Sequence, residues 1–181
     1  MPRAIFLTGR PGVGKTTVLM KIVEELKKRG FKVGGMISRE VREGGRRVGF
    51  EIVDIYNGTR GVLAHVEQKT GPRVGRYRVN LKDLNEVGVR AIERAINECD
   101  VIVIDEVGKM ELFSSRFVDA VKRALHTEKI VLGTVHLRAY HPLARSIREG
   151  RMPNVKVYVV DERNRRNLHL VILRELLGDK P

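Results

Sequence analysis

The residues that most constrain this chain are Gly9-Arg10-Pro11-Gly12-Val13-Gly14-Lys15-Thr16, because of what stands on either side of them. Before them, Ala4 to Leu7 is a short, wholly apolar run, the pattern of a parallel strand buried on both faces. After them, Val18, Leu19, Ile22, Val23 and Leu26 recur at helical spacing, with Lys21, Glu24, Glu25, Lys27 and Lys28 opposite and Gly30 placed to end the helix. A glycine-rich turn closing on Lys-Thr between a buried strand and an amphipathic helix is the Walker A arrangement. Its glycines let the backbone curl so that successive N–H groups face an anion, and the helix adds the partial positive charge of its N-terminus. The expected ligand is a nucleoside triphosphate, its phosphates gripped by Gly9, Arg10, Pro11, Gly12, Val13, Gly14, Lys15, Thr16 and Thr17. In this arrangement Lys15 bridges the β- and γ-phosphates and so serves catalysis as well as binding. Thr16 offers its hydroxyl to Mg²⁺, and Thr17 reaches the α-phosphate.

The remainder of the chain alternates in the same style. Lys32 to Ile37 reads as a second strand, followed from about 39 to 80 by short β-type stretches at Val48 to Ile55, Gly61 to Val66 and Arg76 to Val79. Glycines at 44, 45, 58, 71 and 75 punctuate this region, which predicts an antiparallel insertion. Helices are predicted near Leu84 to Asn97, near Arg116 to Leu125, after Pro142 and in a last segment ending near Leu177. Strands are predicted at Val101 to Ile104, Ile130 to Val135 and Val155 to Val160. The fold class is therefore α/β, a three-layer domain with a largely parallel sheet and a β insertion. At 181 residues it is expected to be one domain.

A second chemical signal lies at Val101-Ile102-Val103-Ile104-Asp105-Glu106. An apolar strand that delivers a carboxylate at its C-terminal end is a Walker B pattern, with Asp105 as the expected partner of Mg²⁺. Glu106 bears on the reaction type. Beside the metal-binding aspartate it is placed to take a proton from water attacking the γ-phosphate, a group that a kinase does not need. Thr134 and His136, at the end of the strand Ile130 to Val135, are candidates to sense the γ-phosphate or that water. An Asn-Lys-x-Asp signature for guanine is absent.

Charge and composition narrow the alternatives without closing them. The net charge is +13, with basic excess everywhere except the stretch 79–134 that holds Asp105 and Glu106. Such a surface fits a polyanionic ligand, yet aromatic residues are only 5% of the chain and do not alternate with basic ones along it, so no specific nucleic-acid partner is expected. No apolar run approaches the roughly 20 residues a bilayer requires, and the N-terminus carries no signal-peptide pattern, so a cytoplasmic protein without membrane contact is expected. The single Cys99 reads as a small buried residue, and the five histidines show no metal-ligand spacing. From the residues alone, three readings stay open: a nucleoside triphosphatase, a small-molecule or nucleotide kinase, and a nucleic-acid-associated ATPase switch.

Longer runs carry a resemblance. Gly35-Met36-Ile37-Ser38-Arg39-Glu40-Val41-Arg42, Gly45-Arg46-Arg47-Val48-Gly49-Phe50, Gly71-Pro72-Arg73-Val74-Gly75-Arg76-Tyr77 and Asp105-Glu106-Val107-Gly108-Lys109-Met110-Glu111-Leu112-Phe113, with the late pair Asn164-Arg165, together resemble the THEP-type nucleoside-triphosphatase family. The resemblance implies a RecA-like P-loop fold. It also implies Mg²⁺-dependent hydrolysis of ATP, GTP, CTP and UTP or TTP to the diphosphate and phosphate, with broad base specificity. Asn164 and Arg165 follow the last strand, where they are expected to lie over the nucleobase. Efficient hydrolysis at such a site calls for an arginine to neutralise charge on the transferred group, and Arg46, Arg47 and Arg73 are the candidates.

Overall fold

The computed structural model describes residues 3–178, and its organising element is one nine-stranded sheet. Strands β1 (Ala4–Thr8), β2 (Val33–Glu43), β3 (Arg46–Asp54), β4 (Arg60–His65), β5 (Arg73–Val74), β6 (Tyr77–Val79), β7 (Val101–Val107), β8 (Ile130–Val135) and β9 (Val155–Val159) stand in the order β5-β6-β4-β3-β2-β7-β8-β1-β9. Five of them, β2, β7, β8, β1 and β9, run parallel. β8 separates β1 from β7, so the loop after β1 and the acidic end of β7 face each other across one intervening strand.

Alternation along the central strands sorts the core into two layers. Ile5 and Leu7 of β1, with Val101 and Val103 of β7, pack against Val18, Leu19, Ile22, Val23 and Leu26 of α1 (Lys15–Lys28) and Ile172 of α6 (Leu168–Leu177). Phe6 of β1, with Ile102 and Ile104 of β7, packs on the other side. It meets Ile92 of α3 (Arg90–Glu98), Phe117 and Val121 of α4 (Ser115–Leu125), and Ile147 of α5 (Pro142–Arg148). This is the expected three-layer α/β architecture.

The differences from the sequence-based elements have local causes. β2 continues to Glu43 instead of ending near Ile37: its first residues pair with β7, and from Met36 onward it pairs antiparallel with β3. The outer half lies beyond the helices, so its residues are half-buried or exposed and lack the apolar run that marks the inner half. The insertion is antiparallel as expected, and it extends the edge of the main sheet. The predicted helix at Leu84 begins earlier as the short α2 (Leu81–Asp83), where the Asn80 side chain accepts the Asp83 N–H. A π-helical segment, Leu84–Val89, then leads into α3. Cys99 is buried, as read. No described helix is long and apolar enough to cross a membrane.

Candidate active site

The loop after β1 ends at Gly14, whose φ of 109° is left-handed and favours glycine, and which caps α1 without any side chain bonded to the first-turn N–H groups. Those donors and the helix dipole are therefore directed at whatever anion the loop encloses. Gly9 is equally constrained: its φ is 148°, and a Cβ there would sit 2.7 Å from the Val160 carbonyl oxygen of the neighbouring segment. Lys15 arches back over this loop, donating to the Gly9 carbonyl at 3.1 Å while its ammonium lies 3.6 Å from the Glu106 carboxylate.

Asp105 is buried at the end of β7 and holds two hydroxyls. Thr16 donates to Oδ2 at 2.9 Å, and the fully buried Thr134 of β8 donates to Oδ1 at 2.6 Å. Burial pushes the Asp105 carboxyl up to about 6, with the neighbouring Glu106 adding to the rise and the two hydroxyls opposing it. β7 carries both acids inside the strand instead of after it, and the β7–β8 register shifts between Ile104 and Val107. Both consecutive carboxylates border the same cleft. Burial also raises the Glu106 carboxyl, against the pull of Lys15.

A third carboxylate, outside the site residues that the sequence pattern marks, borders the cleft. Glu111, in the 3₁₀ turn Glu111–Phe113, is buried and held well above the usual carboxylate range by burial and by the nearby Glu106 charge. Its Oε1 would lie 3.0 Å, and the Glu106 Oε1 2.8 Å, from a Cβ placed on Gly108, so both carboxylates converge on that glycine. Nothing in its immediate sequence distinguishes Glu111 from a solvated glutamate. Its only sequence signal was membership of the run Asp105 to Phe113.

These groups line a cleft of about 360 Å³ together with Pro11, Gly12, Arg39, Arg47 and His136. His136 is neutral near pH 7. Burial, then the positive charges of Lys15 and Lys109, push it down to about 4. Of the three candidates Arg46, Arg47 and Arg73, Arg47 borders this cleft, as does Arg39; Arg46 is exposed in the β2–β3 hairpin and Arg73 lines a neighbouring hollow. Arg47 is held by Tyr77 Oη at 2.8 Å and Glu40 at 3.2 Å, with its guanidinium 5.2 Å from the Phe50 ring.

The other residues expected to hold nucleotide separate into two groups. Thr17 opens a wider groove of about 1050 Å³ between α1 and α6, shared with Met20, Lys21, His169 and Leu170. Arg165 lies against the loop, donating to the Val13 carbonyl at 3.5 Å, with its Cδ 3.9 Å from the place of a Cβ on Gly14. Asn164 sits in the turn after β9. Its Oδ1 accepts from the Asp161 N–H at 2.9 Å and its Nδ2 donates to the Val159 carbonyl at 2.8 Å, so both ends of the side chain close the turn after β9. Arg10 is exposed and paired with Glu162 at 3.5 Å.

An oxygen-only pair of a hydroxyl and a carboxylate, Thr16 and Asp105, suits a hard divalent cation such as Mg²⁺, whose remaining positions are ordinarily water and phosphate oxygens. Among the described residues no cluster of three or more acidic, histidine or cysteine side chains forms a metal cage by itself.

Known proteins resemble this chain over nearly its whole length. The family model described as NTPase matches residues 4–173. The nucleoside-triphosphatase THEP1 of Thermofilum pendens is 50% identical over 171 residues, covering 94% of this chain and 93% of that protein. The nucleoside-triphosphatase THEP1 of Methanopyrus kandleri is 48% identical over 177 residues, covering 98% and 97%. Among solved structures, THEP1 from the hyperthermophile Aquifex aeolicus superposes with a TM-score of 0.84 at 36% identity, covering 96% of this chain and 99% of its own. A human cancer-related nucleoside triphosphatase superposes at 0.80 with 40% identity, covering 99% and 100%. With a family model matched over residues 4–173 and relatives about half identical over nearly the whole chain, the chain belongs to the NTPase family that the THEP1 nucleoside-triphosphatases represent.

Proposed function

We propose that this chain is a Mg²⁺-dependent nucleoside triphosphatase that transfers the γ-phosphoryl group of ATP, GTP, CTP or UTP to water, with little preference among bases. The observation that carries the reading is Glu106: a carboxylate raised by burial, 3.6 Å from Lys15, in the same cleft as the phosphate loop. A carboxylate whose proton affinity lies nearer neutrality is a better acceptor for the proton of an attacking water than an ordinary surface glutamate. Lys15 balances its charge and is the cation for the β- and γ-phosphates. Thr16 and Asp105 would hold Mg²⁺, which when bound supplies positive charge against the phosphate oxygens.

Thr134 fixes Asp105 from behind. Arg39 and Arg47 both border the cleft, and Arg47 is the one assigned to neutralise charge developing on the transferred group, because Tyr77 and Glu40 hold its fork of donors in place. The nucleoside lies beside the loop at Val13, where Arg165 can stack on any base without distinguishing it. We read the chain as one domain, its insertion continuing the main sheet.

Phosphate release from ATP with Mg²⁺, and with no acceptor added, tests this reading. Steady turnover abolished by chelating the metal supports it; release only on addition of an acceptor alcohol or nucleotide would make the chain a kinase.

A further inference from the structure

Beside the catalytic cleft lies a second hollow of about 450 Å³, and Lys109 and Val74 border both. It is formed by the loops that follow β7 and β8, at the carboxyl ends of the parallel strands where α/β sheets bind ligands, together with the edge strand β5. Two of its residues are aromatic and exposed: Phe113 is 51% exposed, and Tyr140, at 73%, is the most exposed large apolar residue described. Around them stand Arg73, Lys109 and Arg138, all exposed, and among the described residues no carboxylate lines the hollow. Leu137, 39% exposed, adjoins the patch in the same loop.

Exposed rings ringed by cations without countercharge make a particular kind of surface. A folded protein partner of ordinary composition would bring both signs of charge; a single-stranded nucleic acid brings only phosphates and flat faces that stack on rings. We propose that this patch is a stacking site for single-stranded nucleic acid, with bases on Phe113 and Tyr140 and phosphates on Arg73, Lys109 and Arg138. The net charge of +13 supplies the long-range attraction. The aromatic and basic residues that do not alternate along the sequence are brought together here because they come from three segments separated by β7, α4 and β8. The site is independent of which reaction the neighbouring cleft performs.

The test uses the full chain without nucleotide, titrated against a fluorescent 12-nucleotide oligouridylate and against an abasic oligomer of the same length and charge. Stacking of a base on a ring strengthens binding by roughly five- to a hundredfold, so the abasic oligomer is expected to bind at least about tenfold more weakly. Phe113→Ala and Tyr140→Ala are each expected to weaken oligouridylate binding by about fivefold or more while leaving the abasic oligomer unaffected. Arg73→Ala and Arg138→Ala weaken both. Three phosphate contacts give a log–log salt slope of about −2, or roughly a twentyfold loss between 50 and 200 mM salt, and each arginine removed reduces that slope by about 0.7. Both aromatic side chains are exposed, so retained ATP hydrolysis by their alanine variants shows an intact fold. Equal affinity for the two oligomers, unchanged binding by the aromatic variants, or no binding of oligouridylate by the parent chain would each overturn the proposal.

Discussion

Arg47→Ala separates a catalytic arginine from a structural one, because the two roles differ widely in size. Structurally, Arg47 contributes a 3.2 Å ion pair with Glu40 and a 2.8 Å hydrogen bond with Tyr77. Both members of the ion pair are about two-fifths exposed, at 41% and 44%. An exposed pair of this kind stabilises by about 0.2–1 kcal/mol, and a partly solvated hydrogen bond by about 1 kcal/mol. Unfolding stability is thus expected to fall by about 1–2 kcal/mol, a drop in Tm of roughly 2–8 °C for a chain of this size.

If the guanidinium neutralises charge in the transition state, kcat falls by at least about 10²-fold, with KM for ATP changed little. Arg47→Lys keeps the charge but loses the fork, so it recovers stability more than it recovers kcat. Tyr77→Phe removes the 2.8 Å bond and leaves the ring beneath Arg47. It should lower kcat by a smaller factor, since the guanidinium keeps its place over the rings while losing one anchor. Thermal unfolding and steady-state phosphate release on the three variants give all of these quantities. A kcat within about threefold of the parent for Arg47→Ala, with only the Tm lowered, would refute the assignment.

Three further outcomes follow from the geometry. Lys15→Ala should weaken ATP binding strongly, by 10²-fold or more on the order-of-magnitude scale of a charge-assisted phosphate contact, as read by calorimetry. Arg165→Ala should raise KM for ATP, GTP, CTP and UTP by similar factors, because the side chain lies along the loop and has no base-edge partner to distinguish them; a change for one base alone would contradict this. His136, neutral in the fold and held down to about 4 from 6.5, resists protonation there more than in the unfolded chain. Its contribution is therefore intact above about pH 6.5 and is lost as the pH falls toward 4, so the parent should lose roughly 1 kcal/mol more than His136→Gln between pH 7 and 5 in urea titrations, after allowance for partial exposure.

What could be read from sequence was whatever local pattern encodes. Ala4 to Leu7, the glycine loop and the apolar stripe of α1 are contiguous, and burial on both faces or one leaves an unmistakable period. The apolar half of β7 was equally legible, as was the aspartate at its end. The outer half of β2 was not, because its partner is β3 and its faces meet solvent, so no apolar alternation marks it. Glu111 and Arg47 show the second limit. Whether a glutamate is buried, or which of two adjacent arginines borders a cleft, depends on a turn and a hairpin that bring residues dozens of positions apart together. Asn164 shows a third: an asparagine after a strand serves equally as a ligand or as a turn closure, and its bonds to the Val159 carbonyl and the Asp161 N–H depend on a turn geometry that no sequence pattern marks.

The central claim, that water is the acceptor and Glu106 its base, is tested most directly by single-turnover hydrolysis of ATP by Glu106→Gln at saturating Mg²⁺, with ATP affinity measured on the same protein. Glutamine preserves the size of the side chain and part of its hydrogen bonding while removing the proton acceptor. The expected result is a hydrolysis rate lower by roughly 10²- to 10⁴-fold with ATP binding retained or slightly tightened, since one negative charge beside Lys15 is gone. A rate within about threefold of the parent, too small a change for the loss of a general base, would show that Glu106 is not the base.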